Sequence, residues 1–313
     1  MIKNISVIGA GTMGHGIAEV FAMYNYKVSI YDRNRKNHEN VIAEIKNELE
    51  FMAEENYIEK EIVEAALSNI KIFSNLEEAV KNADYIIESI PEILELKQEL
   101  FNELDKICPK HTILSSNTSS LSLSKLIENI SVERKKRIMI CHWYNPAHLI
   151  PIIELSYFGN MPEEIFSEVY NLYLSIEKQP INVKKDISGM IANRMLHALA
   201  REAFHLIEID AVSPEDIEKA LKYGPGFRSA TTGILESADL GGLDIRCTVE
   251  DNLFRELNNS KKASDLLKQK VNNGKLGLKT EEGFFKYSKE IKEKIKKDFF
   301  RRLIIQLKAS KNY

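Results

Sequence analysis

Residues 2–16 read IKNISVIGAGTMGHG, a short β-rich run that ends in a cluster of glycines. A stretch with helical spacing follows, and a second short run, KVSIYD, ends on Asp32, 18 residues after Gly14. A strand, a glycine turn, a helix and a strand that ends in an acid form the βαβ pattern of dinucleotide-binding proteins. This order predicts an α/β fold that starts with a parallel sheet.

Each glycine of this turn has a separate expected task. Gly9 permits the turn, Gly11 lets backbone N–H groups approach a pyrophosphate, and Gly14 lets the helix pack close to the strand. Asp32 can accept hydrogen bonds from both ribose hydroxyls and repels a 2′-phosphate, which predicts NAD rather than NADP, although the neighbouring Arg33 opposes that preference slightly. The alternative is a turn that serves packing only, with Asp32 as a strand-end cap.

Outward from this stretch, strand and helix patterns alternate as far as residue 186 and helical periodicity dominates from Ile187 onward. The sequence therefore predicts a Rossmann-like domain over residues 1–186 and an all-α domain over residues 187–313. The heavily charged segment from Asn34 to Leu67 predicts a solvated pair of antiparallel helices.

Composition excludes several classes of partner. The net charge of −3 over 313 residues argues against a nucleic-acid or anionic-membrane surface, and no run of about 18 apolar residues occurs. Three cysteines without a CxxC motif or a histidine cluster at zinc spacing indicate neither a disulfide framework nor a metal site. We expect an unprocessed, soluble protein of a reducing cytoplasm that acts on a small molecule.

A candidate catalytic pair lies in the stretch RIMICHWYNPAHLIPIIEL, from Arg137 to Leu155. A short apolar strand is expected to place His142 just past its end, and a second apolar run carries Glu154. An imidazole held by a carboxylate is a common arrangement for proton transfer near neutral pH. A histidine beside Trp and Tyr is, however, often only a satisfied interior residue.

A second candidate is the polar turn that follows the predicted strand His111 to Ser115. Five of the six residues from Ser115 to Ser120 carry a hydroxyl group, more than helix capping requires. A surface Ser/Thr loop is the alternative explanation.

Five motifs along the chain match one known family: GAGTMGHGIA, SNTSSL, HWYNPAHLIPIIE, ISGMIANR and GLKTEEGFFKY. In order and spacing they resemble the L-3-hydroxyacyl-CoA dehydrogenase family over nearly the whole chain. The resemblance implies a Rossmann-like NAD-binding domain followed by a helical domain that forms a homodimer, with catalysis in the cleft between the domains.

The resemblance also implies roles for individual residues. His142 would be the catalytic acid/base and Glu154 its partner, while Ser119 and Asn193 would hold the reacting oxygen of the substrate. The implied cofactor contacts are Gly9, Gly11, Thr12, Met13, Gly14, Asp32, Glu92, Lys97 and Asn117. In oxidation, neutral His142 takes the hydroxyl proton while the hydride leaves the same carbon for NAD.

Departures from the family pattern concern the substrate. Phe51 and Glu55 stand where acyl-CoA members usually carry lysines, Ser188-Gly189 replaces Pro-Gly, and the loop Lys222 to Gly233 is longer. Arg228 in that loop is a candidate clamp for a substrate carboxylate, with a surface ion pair as the alternative.

Three functions are compatible with these residues. The leading hypothesis is NAD-dependent oxidation of a short-chain L-3-hydroxyacyl-CoA such as 3-hydroxybutyryl-CoA, or the reverse reaction, in fatty acid metabolism. The first alternative keeps the chemistry on a free hydroxy acid, of the gulonate, carnitine or pyridine-carboxylate type. The second is a non-catalytic, crystallin-like NAD-binding protein, against which the intact His142 and Glu154 argue.

Overall fold

The computed structural model describes residues 2–313, except for the side chain of Lys289. The chain divides into two compact units, Met1–Ile191 and Ala192–Tyr313. The first unit is an α/β fold around one large sheet, and the second consists mainly of helices. This confirms the predicted fold class.

The division between the units lies five residues beyond residue 186. Met190 belongs to the hydrophobic core of the first unit and Ile191 packs against it. The N–H of Ile191 also donates to Glu154, at 2.8 Å. These contacts attach the segment that follows the last strand to the first unit.

Eight strands form a single sheet in the first unit. They are β1 (Asn4–Ile8), β2 (Lys27–Tyr31), β3 (Ile70–Phe73), β4 (Tyr85–Glu88), β5 (Ile113–Ser116), β6 (Ile138–Trp143), β7 (Ile152–Ser156) and β8 (Gln179–Asn182). Their order across the sheet is β3-β2-β1-β4-β5-β6-β7-β8. Every neighbouring pair is parallel except β6 and β7, which run antiparallel.

Helices connect these strands. They are α1 (Gly14–Met23), α2 (His38–Glu54), α3 (Lys60–Asn69), α4 (Leu76–Val80), α5 (Leu94–Ile107), α6 (Leu123–Leu126), α7 (Val132–Lys135) and α8 (Glu163–Ser175). In α2 the residues Val41, Ile45, Leu49 and Met52 are buried, at the three- and four-residue spacing that puts them on one face of a helix. This face anchors the predicted helix pair α2 and α3 to the rest of the unit.

The strand order reverses between β1 and β4, because the chain goes from β1 to β2 and returns to the other side of β1 with β4. In open α/β sheets, ligands bind in the crevice at the carboxyl ends of the strands at such a point. Gly9 follows β1 there with a φ of +103°, and a Cβ on Gly14 would lie 1.8 Å from the Gly9 oxygen. Only glycine fits both positions, so the turn depends on these two residues.

Seven further helices form the second unit. They are α9 (Ala192–Glu208), α10 (Pro214–Tyr223), α11 (Pro225–Ser229), α12 (Ile234–Gly241), α13 (Leu243–Leu253), α14 (Asp265–Asn272) and α15 (Lys292–Ser310). The Ser213 side chain caps the start of α10 by accepting from the Asp216 N–H, and Pro214 occupies the first turn. No helix within residues 2–313 has the length and apolarity that crossing a membrane requires.

Candidate active site

The antiparallel pairing of β6 and β7 sets His142 directly opposite Glu154. The imidazole Nδ1 lies 2.7 Å from Glu154 Oε2. Glu154 is fully buried and His142 is 5 % exposed. The structure therefore brings the predicted catalytic pair into direct contact. The expectation that His142 lies just past the end of its strand is wrong, because β6 continues to Trp143.

Two further groups hold the Glu154 carboxylate. Oε1 accepts the backbone N–H of Ile191 at 2.8 Å, and Oε2 accepts the Tyr144 hydroxyl at 3.3 Å. An ionised carboxylate can only accept hydrogen bonds, so we infer that the Nδ1 atom of His142 carries the proton that it donates to Glu154. This tautomer leaves Nε2 as the nitrogen that can take a proton.

The polar turn after β5 wraps around the carboxylate of Glu92. Oε1 of Glu92 accepts the Thr118 hydroxyl at 2.6 Å, the Ser119 N–H at 3.1 Å, and both the N–H and the hydroxyl of Ser120 at 3.1 and 2.9 Å. Burial raises the pKa of Glu92, but hydrogen bonds from Thr118 and Ser120 and the charge of Lys97 bring the pKa below its ordinary value. Glu92 thus fixes the loop that carries Ser119.

Lys97 links this turn to the end of β4. Its Nζ lies 2.5 Å from Glu88 Oε1 and 3.3 Å from Glu92 Oε2, and the lysine is 1 % exposed. Glu88 also accepts the Ser116 hydroxyl, at 2.5 Å. Burial raises the pKa of Glu88 above its ordinary value, against the lowering effect of Lys97. The structure therefore places Lys97 as the cation of a buried network at the crevice.

Hydroxyl groups of the turn are largely used within the protein. Ser115 donates to the Ile86 oxygen at 3.0 Å, while Ser116, Thr118 and Ser120 donate to Glu88 or Glu92. Asn117 ties the turn to β6, since its Oδ1 accepts the Trp143 N–H at 2.8 Å. The abundance of hydroxyl groups is thus explained chiefly by this internal network, and Asn117 lies next to the strand of His142.

The glycine turn fits a dinucleotide phosphate. A Cβ built on Gly11 would meet nothing within 4 Å, so the backbone there is open to a ligand. Thr12 is exposed and Met13 is the N-cap residue of the ten-residue α1, whose N-terminus favours negative charge. Asp32 follows β2 directly, and its two oxygens accept the Asn34 N–H at 2.9 Å and the Asn37 amide at 3.1 Å.

The remaining predicted residues lie in the second unit. Asn193 is the second residue of α9, and Arg228 is an exposed residue of the short α11. The roles proposed for these two residues stay predictions.

Sequence reasoning missed Glu88 and Tyr144. Glu88 is the last residue of the otherwise apolar strand YIIE, and an acid at that point of a buried strand is a signal that could have identified it. Tyr144 lies two residues after His142, and its ring centroid is 4.8 Å from that of the imidazole. Nothing in the sequence distinguishes this tyrosine from an ordinary core aromatic residue.

Comparison with known proteins agrees with this geometry. The family model described as 3-hydroxyacyl-CoA dehydrogenase, NAD binding domain, matches residues 4–187, and the model of the C-terminal domain of the same family matches residues 189–287. The chain belongs to the 3-hydroxyacyl-CoA dehydrogenase family. As a member of that family it is an NAD-dependent oxidoreductase.

The names of proteins similar to this chain indicate different substrates. A 5-formyl-3-hydroxy-2-methylpyridine 4-carboxylate 5-dehydrogenase of Mesorhizobium japonicum is 31% identical over 309 residues, 97% of each chain. A probable 3-hydroxybutyryl-CoA dehydrogenase of Bacillus subtilis is 34% identical, over 92% of this chain and 99% of the relative. A crystal structure of the pyridine-carboxylate enzyme, described as an NAD⁺-dependent dismutase, superposes with a TM-score of 0.90 at 30% identity and covers 99% of both chains.

Proposed function

We propose that the chain oxidises a substrate hydroxyl group with His142 as general base and Glu154 as the residue that orients it. The 2.7 Å contact between Nδ1 and the buried carboxylate carries this proposal, because it directs Nε2 to the reacting proton and stabilises the imidazolium that forms. In the reverse direction the same imidazolium donates the proton. Ser119 and Asn193 are proposed to hold the reacting oxygen, a task typically worth about 3 kcal/mol per donor.

The glycine turn, Asp32 and the Glu92–Lys97 network are the residues proposed to hold NAD. When bound, NAD accepts the hydride that leaves the carbinol carbon. The residues of the chain bind and orient the cofactor, and His142 manages the proton. The open backbone at Gly11 and the N-terminus of α1 support this assignment.

For the substrate we propose a free hydroxy acid. The helix pair α2 and α3, where acyl-CoA relatives are expected to carry basic residues, is strongly acidic here. Between His38 and Asn69 the chain has nine glutamates and two lysines. Such a surface repels the phosphates of CoA, whereas a small carboxylate needs only one cation, for which Arg228 is proposed. The full-length similarity to a pyridine-carboxylate dehydrogenase supports the same class.

A short-chain 3-hydroxyacyl-CoA is the second candidate. Both domain models of the family match, and the Bacillus subtilis relative, a probable 3-hydroxybutyryl-CoA dehydrogenase, is 34% identical. The sequence alone favours this substrate. We rank it second because of the charge on α2 and α3.

A parallel assay separates the two candidates. NADH oxidation is followed with acetoacetyl-CoA and with a panel of free 3-keto acids, and NADH formation is followed with a hydroxymethyl-pyridine carboxylate. We expect turnover of a free acid, and this turnover should fall in Arg228→Gln. The matched control is Arg246→Gln, which changes an exposed arginine that pairs with Glu250 on its own helix. Turnover of the thioester alone would reverse the ranking.

The cofactor assignment leads to a prediction for Asp32→Ala. Loss of a charged acceptor for the ribose hydroxyls should weaken NAD binding by roughly 10- to 100-fold and narrow the preference over NADP. Titration of NADH and NADPH fluorescence measures both affinities, with the exposed Asp251→Ala as control. An unchanged NAD-to-NADP ratio in a folded variant contradicts the proposed role.

We further propose a cytoplasmic homodimer. In α9 the apolar residues Met195, Leu196 and Leu199 are each about half exposed, a pattern that fits burial in a symmetric interface. All three cysteines are free, which fits a reducing compartment. Light scattering after size-exclusion chromatography tests the dimer, and a monomeric mass contradicts it.

A further inference from the structure

A second group of ionisable side chains lies inside the first unit. The contacts described below join its members to one another and not to His142 or Glu154. It contains two carboxylates and two imidazoles, from α1, α2 and the segment between β6 and β7: His15, Glu19, Glu48 and His148. His15 and His148 are 5 % and 7 % exposed, Glu19 is fully buried, and the Glu48 side chain is 15 % exposed. The proposed reaction uses none of them.

The donor atoms of these residues have the spacing of a metal site. His148 Nδ1 lies 3.5 Å from Glu48 Oε2 and 3.9 Å from Glu19 Oε2, and His15 Nε2 lies 3.3 Å from Glu48 Oε2. A tetrahedral ion with bonds of 2.0–2.1 Å keeps neighbouring ligands about 3.3 Å apart. The ligand atoms of Glu19, Glu48 and His148 all lie within 4.8 Å of one another, so small side-chain movements would bring these three donors around one ion. His15 Nε2 contacts the shared Glu48 oxygen.

Glu19 points to a missing cation. Neither oxygen of its buried carboxylate accepts a hydrogen bond from any donor group that the structure describes. The adjacent Glu48 is also a carboxylate and can share a hydrogen bond with Glu19 only if one of the two acids holds a proton. Two facing buried carboxyl groups need a cation between them, which is either a proton or a metal ion.

Lys178 is a buried lysine whose charge acts on Glu19, but its hydrogen bonds go elsewhere. Its Nζ donates to the oxygens of Ala147 and Ile150, at 2.7 and 2.8 Å, and lies over the Trp143 ring. Lys178 therefore leaves the carboxylates of Glu19 and Glu48 available to a metal ion.

Both imidazoles are prepared for a ligand role. His15 Nδ1 lies 2.9 Å from the Gly11 oxygen, and a metal-binding histidine usually donates its second ring N–H to such an acceptor. His148 is buried, and its Nδ1 faces the carboxylates of Glu48 and Glu19.

We propose that Glu19, Glu48 and His148, with His15 as a fourth donor, bind one divalent transition-metal ion of the Zn²⁺ type. Two carboxylates neutralise the charge of the ion, and the mixture of imidazole and carboxylate ligands suits Zn²⁺ rather than Mg²⁺ or Ca²⁺. The ion is structural: it joins the helix that follows the glycine turn to α2 and to the segment after the catalytic strand. Sequence spacing could not reveal the site, because His148 lies 100 residues from Glu48.

Metal titration of the intact protein tests this site. Untagged protein carrying Cys247→Ser, which removes an exposed thiol that could itself bind zinc, is the reference for all measurements. After treatment with a chelator, Zn²⁺ is added in competition with a chromogenic chelator, and Co²⁺ is followed by its visible absorption. We expect one Zn²⁺ per chain and a low-symmetry Co²⁺ spectrum.

Variants then locate the ion. Glu19→Gln, an isostere of the protonated acid, and His148→Ala should each weaken Zn²⁺ binding at least tenfold and reduce the Co²⁺ bands. Glu50→Gln, on the exposed side of the same helix as Glu48, should leave both unchanged. Circular dichroism verifies that each variant is folded. A reference protein that binds no Zn²⁺, or equal binding by the reference and a folded Glu19→Gln, overturns the proposal.

Discussion

Replacement of His142 by Gln is expected to lower kcat by roughly 10³-fold, within the 10²- to 10⁴-fold range of general acid–base catalysis. Glutamine keeps a polar group beside Glu154 but cannot accept the hydroxyl proton and return it. The binding of NAD should change little, because the proposed cofactor contacts lie on the glycine turn and the Glu92–Lys97 network. Initial rates of NADH formation with a substrate that the wild type turns over measure the effect.

The control for this variant is His111→Gln. His111 is an exposed histidine whose ring contacts Asp84 at 3.2 Å, outside the site. We expect it to retain wild-type kcat, while NADH fluorescence shows equal cofactor affinity in both variants. A His142→Gln enzyme within about tenfold of wild-type kcat would remove the acid/base role from this residue.

Replacement of Lys97 by Met is expected to cost about 3–5 kcal/mol of unfolding free energy, the usual result of leaving one partner of a buried ion pair. The carboxylate of Glu88, fully buried, loses a cation at 2.5 Å. Glu92 loses the same cation at 3.3 Å, so the turn that holds Ser119 should also loosen. Urea or thermal unfolding measures the loss, with the exposed Lys106→Met on the same helix α5 as control.

The loss in Lys97→Met should depend on pH in a definite direction. Burial already raises the pKa of Glu88 above its ordinary 4.5 with Lys97 in place, and the pKa rises further without the lysine. A folded-state carboxyl pKa above the unfolded value means that the folded state holds more protons, so stability falls as pH rises above 4.5. The difference in unfolding free energy between the wild type and Lys97→Met should therefore be larger at pH 8 than at pH 5. The double variant Lys97→Met/Glu88→Gln should recover part of it, and no recovery would show that the ion pair is not the cause.

The backbone of the cofactor crevice could be predicted from sequence because glycine positions are dictated by local sterics. The close approach of Gly14 to Gly9 and the positive φ of Gly9 follow from a short pattern of adjacent residues. The pairing of His142 with Glu154 was predicted from the resemblance. Its physical reason, an antiparallel register in an otherwise parallel sheet, appears only in the structure.

The charged interior of the first unit could not be predicted in this way. The segment from Asn34 to Leu67 was expected to be a solvated helix pair, and for Glu48 this is wrong because its side chain points to His15 and His148. Burial of such an acid depends on a loop about 100 residues away. From sequence, a charged residue on an amphipathic helix is expected to face solvent. Only the structure shows the buried side chains that it contacts instead.

His142 and Glu154 lie on neighbouring strands, whereas the residue proposed to recognise the substrate carboxylate lies elsewhere. The catalytic pair and the substrate specificity can therefore evolve separately. The strand register sets the two side chains opposite each other, and a slip of one residue would turn one of them to the opposite face of the sheet. Arg228, the residue proposed to bind the substrate carboxylate, lies outside both strands and can change without altering that register. Selection can therefore exchange the compound on which the enzyme acts while the proton-transfer machinery is inherited intact.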